Sequence, residues 1–130
     1  SPKMNDGASI MALTYYGSTR YMQSYNVMGV AKAALETSIK YLAVDMGDRG
    51  IRVNAISAGP MRTLAGAVIN KSRKIYNYTI ENSPIKKPLS LEDIGKSSVY
   101  LMSDLSKGVT GEILYVDNGY NNVGMSIQDL

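Results

Sequence analysis

A strand, a long helix and a second strand follow one another between Ala8 and Ala58, and this order constrains the fold more than any other feature of the chain. Ala8 to Thr14 (ASIMALT) is a mostly apolar run preceded by the turn-forming residues Asn5, Asp6 and Gly7. It predicts a buried parallel strand, with Tyr15 where the strand ends. From about Asn26 to Met46, the residues Val27, Val30, Ala31, Ala34, Leu35, Ile39, Leu42, Ala43 and Met46 recur at intervals of three and four. That is the spacing of one helical face, and Gly47 and Gly50 stop it. Ile51 to Ala58 (IRVNAISA) alternates, is rich in β-branched residues, and is broken by Gly59-Pro60. Strand, helix and strand in this order form a βαβ unit, whose crossover is right-handed almost without exception and lays the helix on one face of a parallel sheet.

Beyond Pro60 the segments MRTLAGAVIN and KSRKIYNYTIEN read as short, loosely joined helices, a candidate lid over residues 61–82. Ser90-Leu91-Glu92-Asp93 resembles a capping box opening a helix to about Met102, and Glu112 to Asp117 (EILYVD) predicts a third strand ended by Asn118-Gly119. The fold class is therefore α/β, half of a doubly wound parallel-sheet, Rossmann-like fold. Such a half leaves the edge of its first strand exposed. It also lacks the glycine-rich strand-to-helix loop that cradles a dinucleotide pyrophosphate.

Which chemistry the chain can carry is narrowed by what it lacks. Cysteine and histidine are both absent, which removes disulfides, thiol nucleophiles, Ser-His-Asp arrangements and the commonest metal ligand. General acid work falls to Tyr, Lys, Asp or Glu, and no metal is expected. No apolar run approaches the ~20 residues that span a bilayer, and SPKMNDGAS lacks the order of a signal peptide, so a soluble, cytoplasmic protein is expected. The net charge of +3 is spread over scattered residues, too thin for a nucleic-acid groove.

Tyr25 and Lys32 are seven residues apart at the start of the long helix. At ~100° per residue they return to nearly the same face, about 10 Å along the axis, and can reach one ligand together. An ammonium near a phenol stabilises the phenolate and tunes it as a proton donor or oxyanion partner. The spacing alone is weak, since Tyr100 and Lys107 repeat it across a helix end. Position separates the two pairs: Tyr25 and Lys32 open the crossover helix beside a strand end.

The strings YYGSTRYMQSYNVMGVAKAALE, GDRGIRVNAISAGPMRTLA and SDLSKGVTGEILYVDNGY closely resemble enoyl-acyl-carrier-protein reductases of the divergent short-chain dehydrogenase type, over almost the whole chain. In that family a tyrosine, nine residues and then Tyr-x6-Lys mark the site, and Tyr15, Tyr25 and Lys32 match all three positions. Ordinary short-chain dehydrogenases, including ketoacyl reductases, carry Tyr-x3-Lys with a serine well upstream. Here Gly29 stands at the fourth position after Tyr25 and Ala12 where the serine would be.

The resemblance implies that residues 1–130 are the C-terminal part of one dinucleotide-binding domain, with 61–82 its substrate lid. It implies NADH-dependent reduction of the 2,3 double bond of an enoyl thioester on acyl carrier protein, in a homotetramer. Tyr25 would hydrogen-bond the thioester carbonyl, Lys32 would hold the nicotinamide ribose, and Tyr15 would assist substrate positioning or proton delivery. The turn after Ser57-Ala58-Gly59-Pro60 would set Met61, Thr63, Leu64 and Ala65 against the cofactor.

Two other readings stay open: a ketoacyl-type carbonyl reductase, and a fragment that by itself is an inactive packing or oligomerisation module. Met28 and Met46 read as core filler, and Asp117-Asn118-Gly119 as turn chemistry rather than a calcium loop.

Overall fold

The computed structural model describes residues 3–61, 63 and 72–125. Three strands, β1 (Ser9–Thr14), β2 (Arg52–Ala58) and β3 (Ile113–Val116), form a parallel sheet in the order β1-β2-β3. Helix α1 (Val27–Asp45) joins the first two, while α2 (Ser72–Asn82) and α3 (Leu91–Met102) lie between the second and third. The expected strands and long helix are all present, each a residue or so shorter than the apolar runs. Register pairs Thr14 with Ser57 and Ile56 with Leu114.

Alternation along β2 divides the core in two. Val53 and Ala55 point to one side and pack with Ile39 and Ala43 of α1, together with Ile51. Ile56 points to the other side and packs with Ile94 and Leu101 of α3. In a parallel sheet of order β1-β2-β3, two right-handed crossovers would set both helices on one face. The helices lie on opposite faces, so the two crossovers have opposite hands. Ala58 and Met61, at the end of β2 and just after it, pack on the α3 side.

Helix α1 departs from the single apolar face expected of it. Ile39 and Ala43 are buried and Leu35 and Met46 partly so, but Val27, Val30, Ala31, Ala34 and Leu42 are exposed. Val27 and Val30 are 74% and 70% exposed. At ~100° per residue the exposed positions centre about 110° around the helix from the buried ones, so the apolar residues form a core face and an outward face beside it. Met28 belongs outside, exposed rather than filling the core, whereas Met46 does pack against it.

Two polar residues of β2 hold the α3 side and the third strand. The Arg52 guanidinium donates to the carbonyls of Leu101 at 2.9 Å and Ser103 at 3.0 Å, satisfying the carbonyl end of α3. Asn54, fully buried, donates from Nδ2 to the Val109 carbonyl at 2.9 Å and accepts the Glu112 amide at 3.0 Å on Oδ1. Both ends of its amide are therefore satisfied. The capping box is present as expected: Ser90 Oγ accepts the Asp93 amide at 3.1 Å, and the Asp93 carboxylate accepts the Ser90 amide at 3.0 Å.

Candidate active site

The site begins where β1 ends. Tyr15 is the extended residue after Thr14 and caps a short 3-10 turn, Tyr16–Ser18. Tyr25 lies two residues before α1, just ahead of its N-cap Asn26, and its neighbours Ser24 (φ 66) and Asn26 (φ 48) both take left-handed backbone conformations. The straight helical extrapolation from Tyr25 to Lys32 therefore fails at its first step. Positive φ at two residues that are not glycine is strained, and here it brackets the tyrosine whose ring turns inward.

Tyr25 is 9% exposed, and its ring meets that of Tyr15 edge-on, centroids 5.0 Å apart with planes at 65°. Glycines make this approach possible. A Cβ at Gly17 would sit 2.6 Å from the Tyr25 ring, and one at Gly29 would sit 2.8 Å from the Gly17 carbonyl oxygen. Position 29 is where ordinary short-chain dehydrogenases carry lysine, and the backbone of the 3-10 turn occupies the space its side chain would need to leave from.

Burial pushes both phenols up. Desolvation raises Tyr25, and Tyr15 is raised further by burial and then by the neighbouring Tyr120, Tyr25 and Tyr16 hydroxyls. The shift at Tyr25 is opposite to the lowering that a nearby ammonium would give. The reason is geometric: Lys32 Nζ donates to the Leu13 carbonyl at 2.9 Å, so its charge is directed at the backbone of β1. In the second pair with this spacing, Lys107 bridges to Asp104 at 3.2 Å.

Tyr15 and Tyr25 open onto a cavity of about 430 Å³ at the C-terminal ends of β1 and β2, the rim where open α/β sheets bind ligands. Its walls are predominantly apolar. Met61 and Thr63, two of the expected cofactor contacts, line it with both tyrosines. Lys32 does not, although Leu13, whose carbonyl it holds, does. Leu64 and Ala65, also expected here, lie outside the described residues. Ile75 and Tyr76 of α2, Leu91 and Ile94 of α3, and Met22 and Gln23 complete the lining. The pair Leu91 and Ile94 carried a legible signal, apolar residues three apart just inside a capping box. Tyr76 and Gln23 carried none.

Glu36, absent from any motif, is 8% exposed and lies beneath the tyrosines. Its Oε1 accepts from Thr14 Oγ1 at 2.6 Å and from Ser18 Oγ at 2.5 Å. Among the described residues no group of three or more acidic side chains is placed to hold a metal ion, and Asp117 spends its carboxylate on the turn amides of Gly119 and Asn121 at 3.0 and 2.9 Å. No described helix is long and apolar enough to cross a membrane.

The chain is similar to known proteins over most of its length. A family model described as enoyl-(acyl carrier protein) reductase matches residues 1–121. Enoyl-[acyl-carrier-protein] reductase [NADH] 1 of Rhizobium meliloti is 60% identical over 126 residues, which cover 97% of this chain and 46% of the relative. Among solved structures, FabI from Candidatus Liberibacter asiaticus superimposes with a TM-score of 0.87 at 60% identity, over 90% of this chain and 45% of that one. The reductase of Anaplasma phagocytophilum in complex with NAD gives 0.89 at 53% identity, over 95% of this chain and 47% of that one. The chain thus spans about half the length of the relatives it matches.

Proposed function

Because the chain belongs to the enoyl-(acyl carrier protein) reductase family, we propose that it is the site-bearing C-terminal half of an NADH-dependent enoyl-acyl-carrier-protein reductase acting in fatty acid synthesis. The observation that carries this reading is the edge-on Tyr15–Tyr25 pair at the mouth of an apolar cavity on the sheet's C-terminal rim. That cavity is large enough for a nicotinamide ring and the reacting end of an acyl thioester. The chain holds no glycine-rich phosphate cradle, so the residues preceding it would hold the rest of the dinucleotide.

Reduced nicotinamide, when bound, supplies the hydride that adds to the β-carbon of the enoyl thioester. Negative charge then moves to the thioester oxygen, where a hydrogen bond donated by the Tyr25 hydroxyl would stabilise it, and the α-carbon of the resulting enolate would take a proton from solvent to give the saturated thioester. A phenol raised by burial keeps its proton at neutral pH and remains a donor throughout. Tyr15, packed on its ring, holds it in place and excludes water from the same wall. Lys32, released from the Leu13 carbonyl, would offer its three donors to the ribose hydroxyls. Met61 and Thr63, which line the cavity, would hold the carboxamide end, and α2, through Ile75 and Tyr76, would cover the acyl chain as part of the lid.

The parent protein would be a cytoplasmic homotetramer. The outward apolar face of α1 supports assembly, because exposed apolar residues extending beyond a helix's core face are ordinarily covered by a partner. The Gly29 contact disfavours the ketoacyl alternative, which needs a side chain where the turn leaves no room for one.

The test is NADH oxidation by a protein of the relatives' full length carrying this chain, given crotonyl and acetoacetyl thioesters separately, with the product identified by mass spectrometry. Saturation of the crotonyl substrate with no reduction of the acetoacetyl one supports the enoyl reading. Formation of hydroxybutyryl product from acetoacetyl thioester would move the protein to the carbonyl reductases.

A further inference from the structure

The polar cluster beneath the tyrosines is more extensive than the core requires. Glu36 is buried on the sheet-facing side of α1, where a carboxylate loses hydration that only good hydrogen bonds return. It spends one oxygen on two hydroxyls, Thr14 at 2.6 Å and Ser18 at 2.5 Å. These residues flank the Tyr15-Tyr16-Gly17 segment on either side. Thr14 is the last residue of β1 and Ser18 the last of the 3-10 turn, so one side chain of α1 fixes both ends of the loop carrying Tyr15. Ser57, the register partner of Thr14, is 1% exposed with its hydroxyl unpartnered, and alternation places it on the same side of the sheet.

What this loop holds is the relative position of both tyrosines. Tyr15 belongs to it, and Gly17, inside it, is the surface on which the Tyr25 ring rests, with an added Cβ only 2.6 Å from that ring. The same glycine's carbonyl meets α1 at Gly29. A loop displaced by even a fraction of an ångström would either press on the Tyr25 ring or release it. A simpler buried tether, such as an apolar side chain at position 36, would fill the space without fixing either end of the loop.

We propose that Glu36 is a positioning residue of the site: by accepting from Thr14 and Ser18 it sets the strand-end loop that orients Tyr15 and seats Tyr25. The reaction it serves rests on the enoyl reductase reading, whereas the positioning itself does not. Because the role is that of a two-fold acceptor, an amide oxygen can take it over and a hydrocarbon cannot.

The experiment compares Glu36→Gln and Glu36→Leu in the full-length protein, with two readouts. The first is steady-state kinetics with crotonyl thioester and NADH. Glu36→Leu is expected to lower kcat by about 10- to 100-fold, since misplacement of this order costs that much, while the KM for NADH stays within about twofold and Glu36→Gln recovers most of the loss. The second is the 13Cζ resonances of labelled tyrosines, assigned with Tyr15→Phe and Tyr25→Phe: both move in Glu36→Leu and neither in Glu36→Gln. Should Glu36→Leu fail to fold, Ser18→Ala is read in the same two ways. Unmoved resonances, an undiminished kcat in Glu36→Leu, or an equal loss in both variants would overturn the proposal. A wild-type protein that leaves crotonyl thioester untouched, yet shows the resonance shifts, would instead overturn the enoyl reading and leave the positioning role standing.

Discussion

One methyl group at position 29 is enough to test how tightly the site is assembled. Its carbon would stand 2.8 Å from the Gly17 carbonyl oxygen, a backbone atom with no side-chain freedom to yield. Gly29→Ala, though it favours helix by propensity, is expected to lower stability by about 2 kcal/mol through overpacking and to reduce kcat by at least roughly tenfold through the displaced turn; thermal melts and steady-state kinetics would check both. The same crowding governs the phenols. Because the folded-state pKa values of Tyr15 and Tyr25 are raised, their protonated forms are favoured in the folded protein. Stability from this source is complete below the ordinary phenol value of ~10 and is lost as pH rises through the higher folded values. A titration followed by ultraviolet absorbance should show two tyrosines ionising late, one fewer in each of Tyr15→Phe and Tyr25→Phe. Tyr25 and Lys32 were legible as residues, but their geometry was not. The left-handed backbone of Ser24 and Asn26 leaves no mark in a spacing rule, and nothing in a motif discloses that Lys32 reaches the Leu13 carbonyl.

At the scale of elements, the ends of α3 are held by different chemistry and respond to different perturbations. The N-terminal capping box depends on an ionised Asp93, which its hydrogen bonds from the Ser90 side chain and then the Ser90 backbone hold below the usual carboxylate range. A lowered pKa contributes stability that is present above the unfolded value and lost as pH falls through the folded one. Asp93→Asn should therefore flatten the acid limb of the stability profile below about pH 4. The C-terminal end depends on Arg52, and Arg52→Leu, which leaves the Leu101 and Ser103 carbonyls without their donor, should cost about 2 kcal/mol in denaturant unfolding. Strands and caps could be read from sequence because alternation and the Ser-x-x-Asp pattern are local. Arg52, Asn54 and Glu36 could not, because their partners lie far away along the chain and no periodicity records them. The apolar pattern of α1 was visible, but a count of apolar residues at three and four does not say that they divide between two faces.

For the whole molecule, the two crossovers of opposite hand set α1 and α3 on opposite faces of the sheet. Ala58 and Met61 pack on the α3 side of the sheet, and Gly59 to Met61, Thr63 and α2 line the cavity at the strand ends together with Tyr15 and Tyr25. Right-handed connections throughout would have stacked both helices on one face. If, as proposed, the outward face of α1 supports assembly, Val30→Asp combined with Val44→Asp, at positions 70% and 79% exposed, should shift the full-length protein to smaller species in sedimentation without unfolding the protomer. The central claim is that Tyr25, and not merely a tyrosine seven residues before a lysine, carries the reaction. It is tested most directly by comparing Tyr25→Phe with Tyr100→Phe in the full-length protein, measuring kcat for crotonyl thioester reduction by NADH. Loss of an oxyanion donor predicts a fall of roughly 10- to 1000-fold in the first and wild-type turnover in the second. Wild-type turnover in Tyr25→Phe would contradict the account.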